Sequence, residues 1–385
     1  MYREGQVSIY APNLEKYKRG SHLEPAWAPV FYNPRMRLSR DISISLINAY
    51  CIFSNRNQIS VMEPLSATGI RGLRYAKESI CVAKVFLNDY DILAYKLIRK
   101  NILLNSLSEK VQVFNKEANA LMYEFSEKMD IIDLDPFGSP AYFISSALRR
   151  IKHGGMICAT ATDLPPLLGI YPNVSWKRYF AKSLRTEFSK EIGTRILVGY
   201  IAREAIRIRK GILPLFVHAT DHYIRVCMQI IDSPGYASMI SKKIGYLIYC
   251  SSCLFRGIVK EIKNKKYTCP ICRKNIQYAG PLWIGNLWNK KFVDIVYEQY
   301  KNYSYFEKRG IKIIEYIKEE AKAPLFYYKS DIVAKKYGFK NEMSPQEIIE
   351  ILRKYDENVS RTHFDPKGFR TYFHPIFISE KVRKT

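Results

Sequence analysis

From about residue 59 the spacing of apolar positions switches repeatedly between two periods. Ile59-Ser60-Val61-Met62-Glu63 is a short apolar run, Pro64-Leu65-Ser66-Ala67-Thr68-Gly69 is a turn of small residues, and Ile70-Arg71-Gly72-Leu73-Arg74-Tyr75-Ala76 has helical spacing. That pattern predicts strand, turn and helix. A strand over 83–89, a helix over 91–105 and strands over 111–114 and 129–135 follow. Pro136-Phe137-Gly138-Ser139 closes the last of these ahead of a helix to Arg150. Residues 155–162 form a further strand, and 215–220 with 224–230 a closing hairpin. Strands alternating with helices of ten to fifteen residues predict an α/β fold with a mostly parallel, doubly wound sheet. Ligands of such sheets sit beyond the carboxyl ends of the strands, so chemistry is sought there.

Composition narrows the class. The 385 residues hold 61 Lys and Arg against 36 Asp and Glu, a net charge of +25, with 47% hydrophobic residues. The apolar share suffices for sizeable cores, and the length suits two or three domains. No run approaches the roughly 18 apolar residues of a membrane span. The N-terminus has no apolar signal-peptide core, so a soluble, intracellular, cytoplasmic protein is expected. The charge implies a polyanionic partner, because neutralising phosphates releases counterions. Residues 1–232 carry 32 basic and 21 acidic residues, and residues 233–385 carry 29 and 15, so the shorter C-terminal part is the more basic.

The strand ends form a coherent set. Leu65–Gly69 lets a ligand approach the backbone and helix N–H groups. Asp89 lies twenty residues past Gly69, where an acidic residue can accept the hydroxyls of a nucleoside ribose. Glu117 and Ala118 follow the third strand and suit an adenine edge. The phosphate-binding G-x-G-x-x-G is absent, which favours an S-adenosyl ligand over a dinucleotide. At the fourth strand end, Asp135-Pro136-Phe137-Gly138 suits methyl transfer to an exocyclic amine. Asp135 can accept from the amine and take its proton, Pro136 fixes the backbone, and Phe137 offers a stacking face. Taken alone, each carboxylate could equally be a turn former, and Asp133 reads as structural.

Six segments carry a resemblance: Phe31-Tyr32-Asn33-Pro34-Arg35-Met36 with Ser39-Arg40-Asp41, Leu65–Gly72, Leu87-Asn88-Asp89, Asp133–Pro140, Ala159–Asp163 and Gly193–Gly199. Together they resemble the tRNA guanine-26 N2-dimethyltransferase family, in an archaeal-type member, over nearly the whole chain. The resemblance implies a class I, Rossmann-like methyltransferase. Its cofactor would be S-adenosyl-L-methionine and its products N2-methyl- and N2,N2-dimethylguanosine in tRNA. It further implies that Arg40 and Arg71, with Arg74 as a third candidate, hold the methionine carboxylate. Phe31 would line the cofactor pocket, Asp89 would hold the ribose, Glu117 and Ala118 the adenine, and Asp135 would be catalytic. The proline-punctuated segment before the sheet resembles the family's covering segment.

The cysteines fall into two groups. Cys51, Cys81, Cys158 and Cys227 are scattered and read as small buried hydrophobes. Cys250-x2-Cys253 and Cys269-x2-Cys272, with fifteen residues between the pairs, have the spacing of a four-thiolate structural zinc site. Arg256, Lys260, Lys263, Lys265 and Lys266 make the intervening hairpin basic and suggest phosphate contact. A long helix over about 292–321 is expected next, then helices over 328–336 and 345–355, a strand over 359–364 and a turn at 365–368. With Arg361, Lys367 and Arg370, these resemble a winged helix suited to the backbone of folded RNA. His22 and His153 read as surface residues, and His363 and His374 as surface packing or RNA contacts.

The expected organisation is a methyltransferase domain over 1–232 and a smaller, basic, tRNA-binding α+β domain over 233–385. The latter would hold a zinc-ribbon-like insert (245–280) and a winged-helix-like end (about 325–380). No obligate protein partner is evident. Competing readings are an amino-methyltransferase acting on another guanine or on adenine N6, an RNA-binding zinc protein without catalysis, and a Rossmann oxidoreductase.

Overall fold

The computed structural model describes residues 1–19, 22–263, 267–339 and 343–382, with backbone only at 19, 22 and 23. The side chains of His22, Lys265 and Lys266 therefore lie outside the described residues. Seven strands form the central sheet: β1 (Ile59–Glu63), β2 (Val82–Asn88), β3 (Val111–Phe114), β4 (Met129–Leu134), β5 (Ile151–Ala161), β6 (Gly211–Thr220) and β7 (Tyr223–Ile231). Their order is β3-β2-β1-β4-β5-β7-β6. β1 to β5 are parallel, and β7 pairs antiparallel with both β5 and β6. Helices α1 (Arg37–Ser54), α2 (Ile70–Glu78), α3 (Ile92–Leu104), α4 (Ala118–Glu124), α5 (Ala141–Arg150), α6 (Pro172–Tyr179) and α7 (Ser189–Arg207) accompany the sheet. This is the doubly wound, class I arrangement, and its strand order reverses between β1 and β4. The crevice there is the ligand position of such folds.

The strands match the apolar runs closely, with two extensions. β5 begins at Ile151, four residues before its expected start. β6 begins at Gly211 and carries Pro214 next to a bulge. The proline is tolerated because β6 is the edge strand, where a missing N–H breaks no ladder. Helix α7 carries little amphipathic signal because it is buried on several faces, and α1 is buried almost throughout. From Leu38 to Cys51 every residue of α1 is buried, including Ser39, Ser43, Ser45 and Asn48.

Two expectations about pairing and helix length are corrected. The scattered cysteines are paired rather than free: Cys51 bonds Cys81, and Cys158 bonds Cys227. Cys158 and Cys227 face each other in the β5–β7 register, with Cα atoms 4.1 Å apart. The long helix over 292–321 is two helices, α8 (Lys290–Lys301) and α9 (Lys308–Glu320). Tertiary contacts break it. Tyr303 Oη donates to the Glu78 carbonyl (2.6 Å) and accepts from Asn48 (2.8 Å), and Glu307 N donates to Asp41 (2.9 Å).

Beyond the sheet, β8 (Ile244–Tyr249), β9 (Arg256–Val259) and β10 (Gln277–Trp283) form a three-stranded sheet from which the cysteine knuckles project. The chain then runs α9, β11 (Tyr328–Lys329), α10 (Ser330–Tyr337), α11 (Pro345–Arg353), β12 (Ser360–Arg361) and β13 (Gly368–Arg370). With sheet order β11-β13-β12, this is a winged-helix arrangement. The expected strand over 359–364 shrinks to two residues. α11 begins with a capping box between Ser344 and Glu347.

Several basic residues expected at an RNA surface are consumed internally. Arg370 is buried and bonds Glu320 (2.7 Å) and Glu191 of α7 (2.9 Å). Arg370 and Arg195 outweigh burial and hold the Glu191 carboxyl down at about 2. His363 is buried against Glu320 and accepts from Ala219 N (3.1 Å), so it is neither a surface nor an RNA-facing group. Arg256 pairs with Glu187 (2.7 Å) and lies over the Tyr328 ring at 3.7 Å. Its guanidinium is committed to packing rather than to phosphate. His374 is half-buried and accepts from Ile376 N, while His153 is exposed as expected.

Candidate active site

The carboxyl ends of β1 and β4 meet at the strand-order reversal. Glu63 ends β1, and the turn Pro64–Gly69 carries the chain into α2 with Gly69 at φ 78°, a conformation glycine adopts without strain. Gly72 is required one turn later, because a Cβ there would lie 2.3 Å from Leu87 and 2.9 Å from Glu63. Its amide donates to Glu63 Oε2 (3.0 Å). A cavity opens here, lined by Phe31, Asn33, Arg40, Glu63, the 65–68 turn, Arg71 and Asp135, among others.

Arg71 is the hub. Its Nη2 donates to Asp135 Oδ2 at 2.6 Å and its Nη1 to Ser43 at 2.9 Å, while Nε lies 3.7 Å from Glu63. Burial pushes the Glu63 carboxyl well above its usual range despite the pull of Arg71. Beneath, Asp133 receives both guanidinium nitrogens of Arg225 at 2.8 Å and Tyr75 Oη at 2.5 Å. Asp133 is thus structural, as its position on the strand suggests, and it makes a rigid floor under Asp135.

The other candidate residues divide. Arg40 lines the cavity, clamped by Glu4 through Nε and Nη2, both at 2.6 Å. Arg74 does not line it. Arg74 is wholly buried among Glu4 (2.8 Å), Asp41 (2.7 Å) and Glu78 (2.9 Å). Asp89 reaches back to the cavity-lining turn, accepting from Ala67 N (2.8 Å) and Asp91 N (3.0 Å), and burial raises its carboxyl against those bonds. Glu117 caps α4 by accepting from Ala120 N (2.8 Å), and Ala118 is buried beside it. Phe31 meets Phe137 edge-to-face at 4.6 Å.

The loop after Asp135 is latched to the end of β5. Gly138 N donates to Thr162 Oγ1 (2.8 Å), Ser139 to Tyr179 Oη (2.7 Å), and Tyr179 to Asp163 (2.8 Å). Glu63, Arg225, Tyr75 and Tyr179 were not singled out in the sequence. Glu63 had a legible signal as a charged residue ending an apolar strand, and the other three become site residues only through tertiary pairing.

The N-terminal hairpin, Tyr2–Glu4 with Val7–Ile9, closes over α2 and α3. Gln6 N donates to Glu78, and Tyr10 N to Asn101 at 2.7 Å. It therefore supplies Glu4 to the arginine cluster. The donor set suits a zwitterionic nucleoside ligand, with cations at Arg40 and Arg71, a small-residue turn between, and Asp89 beside it.

Apart from this cavity, the Cys250, Cys253, Cys269 and Cys272 sulfurs lie within 4.8 Å of one another, with two pairs at 3.5 Å. A zinc tetrathiolate with bonds of about 2.3 Å has edges of about 3.8 Å, so the cluster is compatible with structural zinc. No helix among the described residues is long and apolar enough to cross a membrane.

Comparison with known proteins agrees with this geometry. The family model described as N2,N2-dimethylguanosine tRNA methyltransferase matches residues 7–383. A tRNA (guanine(26)-N(2))-dimethyltransferase of Saccharolobus solfataricus is 37% identical over 371 residues, 96% of this chain and 94% of the relative. A tRNA (guanine(26)-N(2)/guanine(27)-N(2))-dimethyltransferase of Aquifex aeolicus is 35% identical over 373 residues, 96% and 92% of the two chains. The solved structure of Trm1 from Pyrococcus horikoshii with S-adenosyl-L-methionine superposes with a TM-score of 0.85 at 32% identity, covering 99% of this chain and 98% of that one.

Proposed function

Because the chain belongs to the N2,N2-dimethylguanosine tRNA methyltransferase family, we propose that its crevice between β1 and β4 methylates the exocyclic N2 of guanine 26 in cytoplasmic tRNA, once or twice. The observation that carries this reading is the Arg71–Asp135 contact of 2.6 Å at the strand-order reversal, with the exposed Phe137 two residues on. S-adenosylmethionine, when bound, supplies an electrophilic methyl group. Arg71 and Arg40 would hold its carboxylate, Asp89 its ribose, and Glu117 with Ala118 would border the adenine.

The residues of the chain account for the remaining requirements. Guanine N2 is a poor nucleophile because its lone pair is delocalised into the ring. With Arg71 bound at Oδ2, Asp135 offers Oδ1 to an N2–H and turns the lone pair out of conjugation. As positive charge builds on the nitrogen, the carboxylate stabilises it and accepts the proton. Pro136 fixes the direction of the backbone, and Phe137, buttressed by Phe31, stacks on the base. Arg74 serves the fold through its three carboxylates and takes no part in this chemistry.

Incubation with unmodified tRNA transcripts, digestion and nucleoside mass spectrometry is expected to show N2-methyl- and N2,N2-dimethylguanosine, lost on replacing guanine 26. The name of the Aquifex relative makes guanine 27 the informative second substitution. Methyladenosine instead would discard the guanine assignment.

The cysteine cluster gives a separate expectation. Elemental analysis of protein purified without chelator should find about one zinc per chain. Cys250→Ser should lose the metal and lower the melting temperature, with S-adenosylmethionine binding retained. Metal-free wild-type protein of unchanged stability would contradict a structural role.

A further inference from the structure

The helix α6 lies directly behind the Asp135–Ser139 loop and is tied to it. Tyr179 takes a hydrogen bond from Ser139 and donates to Asp163, and Arg178 bonds Asp163 (3.0 Å) and interacts with Tyr142. Ser175 and Tyr179, one helical turn apart, are buried against the domain, which turns Trp176 and Lys177 outward. The outward surface is aromatic to an unusual degree. Phe137, Tyr142, Tyr171 and Trp176 are 66%, 65%, 57% and 56% exposed, all on segments joined by those bonds.

Single exposed aromatics need no explanation, but several around one catalytic loop mark a binding surface. Its charge narrows the partner. Residues 164–185 contain Lys177, Lys182 and Arg185 and no Asp or Glu, while Arg178 is paired with Asp163. Rings interleaved with cations suit unstacked nucleotides, because every base has a face to stack and every nucleotide a phosphate to neutralise. Extracting a guanine from a folded RNA leaves its neighbours without a stacking partner, which creates a requirement for such rings next to the catalytic pocket.

We propose that the outward face of α6, through Trp176, with Tyr171 at the helix's N-cap, is a stacking platform for the nucleotides flanking the target guanine, with Lys177 on their phosphates. This rests on the tRNA-methylating reading above and extends it beyond the target base. The rings are exposed, so removing one leaves the fold intact, and the buried Ser175–Tyr179 face is untouched.

The test compares wild type with Trp176→Ala, Trp176→Phe and Lys177→Ala, in steady-state methylation and in equilibrium binding of the same tRNA transcripts. Trp176→Ala is expected to weaken tRNA binding and raise the tRNA KM about tenfold. Its KM for S-adenosylmethionine and its melting temperature should stay at wild-type values. Because stacking involves no phosphate, the salt dependence of binding should be unchanged in Trp176→Ala, whereas Lys177→Ala should reduce the logarithmic salt slope by about one. Trp176→Phe, which keeps a ring, should recover most of the loss.

Wild-type tRNA binding by Trp176→Ala overturns the platform, as does an equal loss in Trp176→Phe. The binding arm is independent of turnover. A wild-type protein that binds tRNA through Trp176 yet makes no N2-methylguanosine would sink the proposed reaction while leaving the platform standing.

Discussion

Asp135→Ala is expected to lower methyl transfer to tRNA by about a thousandfold, with S-adenosylmethionine affinity retained or improved. The loss follows from the two tasks proposed for the carboxylate, orienting the amine and taking its proton, neither of which alanine or bound water reproduces in place. Retained affinity follows from the geometry. Asp135 occupies Nη2 of Arg71 at 2.6 Å, and removing it frees that nitrogen for the methionine carboxylate. Asp135→Asn keeps an acceptor and loses the charge, so it should fall between wild type and alanine. Single-turnover methylation with calorimetric cofactor titration separates the effects. An alanine variant with more than about a tenth of wild-type activity would remove Asp135 from the chemistry.

The largest effect on stability is expected at Arg74. The side chain is wholly buried and holds Glu4, Asp41 and Glu78 at 2.7–2.9 Å. In Arg74→Ala three buried carboxylates lose their shared cation, a class of change that costs about 3–5 kcal/mol. Thermal unfolding should shift down by roughly 5 °C. The pH dependence gives a further check. In the wild type Arg40 and Arg74 outweigh burial and hold the Glu4 carboxyl below its usual range. A depressed carboxyl contributes stability that is present above its unfolded value and lost as pH falls through its folded one. Without Arg74 that contribution is reduced, because only Arg40 still holds Glu4. The deficit of the variant should therefore shrink below about pH 5, where stranded carboxyls can take up protons. An Arg74→Ala protein of wild-type stability that binds S-adenosylmethionine poorly would return Arg74 to the cofactor site.

The contrast between Arg71 and Arg74 shows where the sequence stops informing. Both sit in the opening turn of α2, three residues apart, and the resemblance made both candidates for one carboxylate. Their partners lie up to 70 residues away along the chain, Glu4 for Arg74 and Asp135 for Arg71. Apart from the i,i+4 pair of Arg74 with Glu78, no local spacing records which arginine faces which partner.

What the sequence determined by itself was whatever local periodicity and short motifs encode. Alternation between apolar runs and helical spacing predicted β1 to β5 with α2, α3 and α5, since each element's apolar face is written in its own residues, whereas the short α4 between β3 and β4 was not anticipated. The Leu65–Gly72 and Asp135–Gly138 turns were legible because turns need particular residues at particular offsets, and the cysteine knuckles because metal geometry demands their spacing. Tertiary structure alone decided the rest. It placed Cys158 opposite Cys227, because a pairing across 69 residues depends on strand register. It broke the 292–321 helix, because Tyr303 and Glu307 gain more from α1 and α2 than from a continuous helix. It also withdrew Arg256, His363 and Arg370 from any RNA surface. Charge in a sequence is only a count, and whether a cation meets solvent or a buried carboxylate is decided by packing between distant segments.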